Sequence, residues 1–177
     1  MPAPGKAERH PHQHLSRKTK SPMKLSEHFE LREFTRNSHG LRNEPPAEVI
    51  PILREFCEQI LEPLRAHVGY PVVITSGYRS AELNRKVGGA PRSYHCATPT
   101  RCAADIQVRG LPLAEVFQWL CEESGLRFDK VILERGKRQE TEADDCIHIQ
   151  YRSVRPRRLA FLGSTHGAGG YTPVSVV

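Results

Sequence analysis

The sequence predicts an α+β fold, a small and mainly antiparallel sheet flanked by helices. Three observations carry this expectation. Apolar residues recur at helical spacing between Pro45 and Gly69. Four short runs rich in β-branched and apolar residues follow. Helical patterns alternate with those runs across short turns, and no internal repeat is present.

Taken in order, residues 1–22, "MPAPGKAERHPHQHLSRKTKSP", hold Pro, His and Lys/Arg but almost no large apolar residue. Such a segment buries too little surface to fold, so it reads as a disordered basic tail. His10, His12 and His14 alternate there, with nothing around them to fix a metal geometry. The ordered domain is expected over residues 23–158. It opens with "MKLSEHFELREF", where Ser26 precedes a short helical pattern and can cap it. Pro45 and Pro46 start the next helix, Val49, Leu53, Phe56, Ile60, Leu64 and Val68 form its apolar stripe, and Gly69 ends it. "PVVITSGY" reads as a strand running into a turn. A short helix capped by Ser80 follows and closes at Gly88-Gly89. "AADIQV" is a second strand, residues 112–124 an amphipathic helix, and "DKVILE" and "CIHIQY" two more strands. The polar residues 135–144 between those last two form a long hairpin loop. Residues 159–177 are Gly-rich and are expected to be a loose C-terminal tail.

The chain has 177 residues, 38% of them hydrophobic and 26% charged, which suits one domain with a real core. No apolar run has transmembrane length, so membrane insertion is not expected. The basic N-terminus is not followed by the apolar stretch of a secretory signal. The expected location as synthesised is therefore cytoplasmic, with an export route that needs no signal left open. The net charge of +6 favours anionic partners such as nucleic acid, acidic envelope polymers or membrane surfaces. It is spread between the N-terminal tail and Arg152, Arg155, Arg157 and Arg158. Nucleic acid is not the expected partner, because no aromatic platform or recognition helix accompanies the charge. Five cysteines without a signal argue against a secreted disulfide framework. Cys57 and Cys121 fall on apolar helix faces and read as buried, inert thiols.

The chemistry concentrates at strand ends. His95 precedes a strand, Asp105 lies on it, and His148 lies mid-strand in "CIHIQY". Alternation sets His148 opposite Ile147 and Ile149, so it faces a cleft if the isoleucines face the core. Two imidazoles and a carboxylate suit a catalytic zinc, which takes three protein ligands and keeps one position open. A core histidine with a polar partner and a surface histidine are the plainer alternatives. Arg79 follows a strand in the Gly-containing turn of "SGYRS", where its fork can clamp a carboxylate.

The segments "SGYRSAELNRKVGGAPRSYH", "AADI", "FDKVILE" and "IHIQYR" come in that order after "MKLSEHFELREF". Together they resemble the zinc D-Ala-D-Ala carboxypeptidases and endopeptidases of the fifteenth metallopeptidase family, in its phage- and prophage-associated branch. The resemblance implies a hedgehog-like fold and zinc held by His95, Asp105 and His148. It implies that Arg79 binds the terminal carboxylate of the substrate and that Ser93 lies at the substrate site. The substrates it implies are peptidoglycan stem peptides, cut near a D-alanine. Two residues compete for the acid/base role. Glu134 ends "DKVILE", where the phage-like branch has a Glu, and Asp145 lies three before His148, where other branches carry theirs. Alternation turns Asp145 away from His148, which favours Glu134.

The pattern is altered in one place. "CATPTR" follows His95, the step to Asp105 is ten residues, and no Gly lies between. The family's usual spacing is shorter and includes a Gly. Tyr94 stands where a glutamine is common, and Cys146 where a tryptophan is. Cys96, Cys102 and Cys146 are read in three ways: as free thiols, as a Cys96–Cys102 disulfide, or as thiolates entering the metal shell. The expectation is a monomeric zinc hydrolase acting on the cell wall, of the kind a phage lysin or a cytosolic recycling enzyme would be. The rival is a non-catalytic, metal-containing wall-binding module of the same fold.

Overall fold

The computed structural model describes residues 22–136, 145–164 and 170–177. The N-terminal histidines and most of the polar 135–144 loop, with Lys137 and Arg138, lie outside the described residues.

A short helix α1 (Leu31–Thr35) is entered through a turn in which the Glu33 carboxylate accepts from the Glu30 backbone N–H at 2.7 Å. Ser26 does not cap it. The Ser26 hydroxyl donates to Glu62 Oε1 at 2.6 Å, and the His28 N–H reaches the same oxygen at 2.8 Å. The serine thus ties the opening turn to a distant helix, and a carboxylate replaces the expected backbone partner.

The long apolar stripe folds as expected. A 3₁₀ turn (Ala47–Val49) leads into α2 (Ile50–Phe56), a π turn (Cys57–Leu61) and α3 (Glu62–Val68). Pro63 has no N–H to give to the turn before it, and the π turn lies just ahead of it. Val49, Leu53, Phe56, Ile60, Leu64 and Val68 are all buried. Gly69 closes the helix at φ +69, a left-handed position that costs a side chain strain.

Among the described residues the sheet has six strands: β1 (Val72–Ser76), β2 (Arg101–Val108), β3 (Lys130–Arg135), β4 (Cys146–Arg152), β5 (Leu159–Ser164) and β6 (Thr172–Val174), in spatial order β1-β2-β4-β3-β5-β6. All pairs are antiparallel except β3 with β5. Helices α4 (Ala81–Lys86) and α5 (Leu113–Glu122) complete the fold, and the Ser80 hydroxyl caps α4 by accepting from the Leu83 N–H. One face of the sheet packs on α2, α3 and α5 through Ile106, Val131, Leu133, Ile147 and Ile149. Cys57 and Cys121 lie in this core, where burial pushes both thiols up, Cys121 to about 11. Among the described residues no helix is long and apolar enough to cross a membrane.

The expectation of a loose tail after Arg158 is corrected. Leu159–Ser164 joins the sheet beside β3, and Thr172–Val174 pairs with it in turn. Ala160 is buried, while Leu159 and Leu162 stay 36% and 42% exposed. With so little core contact, the strand showed only a faint apolar pattern. The last residue is anchored too, its N–H donating to the Cys121 carbonyl at 3.0 Å.

Asp129, fully buried just before β3, takes three bonds from Arg157: from its backbone N–H and Nε to Oδ1, and from Nη2 to Oδ2 at 2.6 Å. Burial alone would raise this carboxyl, but the Arg157 bonds and charge outweigh it and hold it below the usual range. A carboxyl lowered on folding stabilises the protein above its unfolded pKa of about 3.9 and loses that contribution as pH falls through its folded value. Asp129→Asn is therefore expected to flatten the acid limb of a urea-measured stability profile below about pH 4. A limb as steep as wild type's would contradict this.

Candidate active site

On β2, Ala104 and Ile106 enter the core, and on β4 Ile147 and Ile149 do. Alternation therefore sends Asp105 and His148 to the opposite face. The two are direct partners in the β2–β4 ladder, and His148 Nδ1 lies 2.7 Å from Asp105 Oδ1. His95 arrives from the loop before β2. Its Nδ1 donates to the Gly77 carbonyl at 2.7 Å, since a carbonyl can only accept. That fixes the tautomer and turns Nε2 to within 3.3 Å of Asp105 Oδ1. The imidazole centroids are 5.1 Å apart.

His95, Asp105 and His148 each offer one ligand atom, all within 4.8 Å of one another, and could hold a metal ion. The donor set, two nitrogens and one oxygen, suits a divalent transition metal. Burial alone would raise the Asp105 carboxyl, but the charges and hydrogen bonds of His95 and His148 overcome it and hold it well below the usual carboxylate range. It is an anion facing two imidazoles, as a cation site requires. Each imidazole is also held from behind, His95 by Gly77 and His148 by the Gln150 amide at 3.1 Å from Nε2.

The longer loop does not separate the ligands. Thr98 and Arg101 exchange both backbone hydrogen bonds, so the extra residues close in a tight turn and β2 starts at Arg101. All five cysteines are free thiols. Cys102 turns into the core, its Sγ 3.8 Å from the Ile52 carbonyl, away from Cys96 on the loop. Cys146 lies on the same face as Asp105 and His148, with its Sγ 3.9 Å from Glu134 Oε2.

The other expected site residues divide. A register shift at the end of β1 brings Ser76 opposite Asp105, and the chain then turns at Gly77. Arg79 returns to the cluster, Nη2 lying 2.9 Å from Ser76 Oγ and 3.3 Å from Asp105 Oδ2. Ser93 sits in the turn before His95, where its hydroxyl accepts from the His95 N–H at 3.3 Å. Glu134 pairs with Cys146 and Ile132 with His148 in the β3–β4 ladder, so Glu134 shares the face of the ligands. Asp145 is buried just before β4, where its two oxygens accept from Arg135 Nη1 and the Gly136 N–H, both at 2.7 Å.

Three supporting residues escaped the sequence reading. Gly77 was seen only as a turn residue, yet a Cβ there would lie 2.5 Å from Phe34 Cα, so the turn can dock on α1 only without one. Gln150 carried no signal beyond its spacing of two from His148. Buried Asn43 stitches the arginine turn to α1: its Nδ2 donates to the Thr35 and Tyr78 carbonyls at 2.9 and 2.7 Å, and Oδ1 accepts from the Ser80 N–H at 2.7 Å. Asn43→Ala is expected to cost about 3 kcal/mol by urea denaturation, because it strands buried backbone groups. A cost below about 1 kcal/mol would contradict that role.

A mixed sheet that presents Asp105 and His148 on one face, with His95 brought to them by a loop and each imidazole held from behind, makes a cluster that could hold a metal ion. The Peptidase M15 family profile matches residues 27–138, well over half of the chain, and the chain belongs to that family. Its membership points to a metal-dependent hydrolase, a metallopeptidase acting on peptides. The match includes Arg79, Ser93, His95, Asp105 and Glu134, and it ends before Asp145 and His148. No curated protein matches the chain.

Proposed function

We propose that the protein is a zinc peptidase that hydrolyses peptidoglycan stem peptides at a bond next to a D-alanine, as a D-Ala-D-Ala carboxypeptidase or endopeptidase. The observation that carries this reading is the placement of Arg79 and Glu134 around the His95–Asp105–His148 cluster. The bland alternative for that cluster is a set of satisfied polar residues. It explains Asp145, which is fully engaged within its hairpin, but gives no reason for two imidazoles to converge on one carboxylate oxygen.

Each side chain has a task in this reading. His95 Nε2, Asp105 and His148 Nδ1 would hold the zinc, which when bound would acidify water and polarise the scissile carbonyl. Glu134 takes the proton of the attacking water and hands it to the leaving amine. The Arg79 fork, set beside the cluster by Ser76 and Asp105, binds the carboxylate of the peptide. Ser93 borders the peptide beside His95. The positive net charge favours approach to an anionic wall. The protein acts as a monomer in this reading, at the wall once released from the cytoplasm.

The test is D-alanine release from a stem peptide ending in D-Ala-D-Ala, together with cleavage of cross-linked wall. Zinc-loaded protein is expected to act on one of the two, to lose activity on chelation and to regain it with zinc. Zinc-loaded protein that binds wall but cuts neither would replace this reading with the binding module.

A further inference from the structure

We infer that Tyr171 is a positioning residue for Glu134, holding the carboxylate in place for its work as the base; this inference rests on the role proposed for Glu134 above. Tyr171 lies well beyond the residues matched by the family profile. Its hydroxyl donates to Glu134 Oε1 at 3.2 Å, while Oε2 lies on the side of Cys146. The two oxygens of the carboxylate are thereby distinguished: one is tied to the C-terminal segment, and the other is turned toward the strand that carries His148.

The ring is held by its surroundings. Thr172 and Pro173 pair with Leu162 and Phe161, which fixes the backbone that directly follows Tyr171. The ring crosses Gly163, where a Cβ would lie 2.1 Å from Tyr171 Cδ1. Phe161 meets it edge-on at 6.5 Å. Tyr171 is nevertheless 50% exposed, so core packing does not account for its placement. Partial burial and then the Glu134 charge push the phenol up to about 12, so it stays a donor at neutral pH. The absent Cβ of Gly163 and the hydroxyl bond serve one arrangement, a phenol laid across the end of β5 to reach the carboxylate on β3.

The experiment uses the zinc-loaded full chain and three changes. Tyr171→Phe keeps the ring over Gly163 and removes only the hydroxyl. It is expected to lower kcat about tenfold, as loss of a hydrogen bond to a charged group does, with KM and zinc content unchanged. Gly163→Ala, which displaces the ring, is expected to lower kcat to a similar degree. In a Glu134→Gln background, Tyr171→Phe is expected to change the residual kcat by less than about twofold, since the two residues act as a unit. Wild-type kcat in Tyr171→Phe, with Glu134→Gln inactive, would overturn the inference and leave the base in place. Wild-type kcat in Glu134→Gln would remove the base reading itself, and this inference with it. A rise in KM or a loss of zinc at unchanged kcat would assign Tyr171 to binding or folding instead.

Discussion

His148→Ala is expected to abolish metal binding and hydrolysis together. The substitution removes one of the three proposed ligands and leaves Asp105 Oδ1 facing only His95. With two ligands the site holds zinc weakly, and catalysis that depends on acidified water is expected to fall at least about a thousandfold. The fold is expected to survive, because His148 lies on the face away from the Ile147 and Ile149 core. Elemental analysis and the rate of stem-peptide cleavage, measured on the same preparation, check this. Full zinc content in the variant would contradict the ligand set, and full activity would contradict the mechanism.

Glu134→Gln and Asp145→Asn are expected to separate cleanly. Glu134 stands on the face of Asp105 and His148 and is outside the three-residue cluster, so Glu134→Gln should retain zinc and lose about a hundredfold to ten-thousandfold in kcat, the range for a general base. Asp145 is enclosed by Arg135 and Gly136. Asp145→Asn weakens that charge-assisted clamp and should reduce stability by about 1–3 kcal/mol while leaving kcat within about threefold. The reverse result, with kcat lost in Asp145→Asn and kept in Glu134→Gln, would exchange their roles.

The site was more legible in the sequence than its supports were. His148 could be placed because a strand has a period of two and its neighbours are isoleucines. The same rule favoured Glu134 over Asp145 as the acid/base, with both kept as candidates. The long helix was legible because its six apolar positions keep one spacing over nearly the whole segment, and every one of them is buried. What was missed depends on partners far away in the chain. Ser26 has the residue type of a cap, but Glu62 lies within reach in the fold and takes its hydroxyl. β5 pairs in parallel with β3, a contact that local pattern does not encode, and the glycines after it read as a loop. Asn43 looked like any loop asparagine until three backbone groups from two segments met its amide. The lengthened His95–Asp105 step looked like damage to a metal loop. The Thr98–Arg101 turn absorbs it without moving the ligands apart.

The central claim is that His95, Asp105 and His148 form one zinc site. The most direct measurement is the zinc content of full-length protein in which His10, His12 and His14 are replaced by alanine, so that the N-terminal tail cannot contribute. The account predicts about one zinc per chain, the count a single three-ligand site gives, removable by chelator and restored by added zinc. No zinc, even after zinc is supplied to the folded protein, would contradict it.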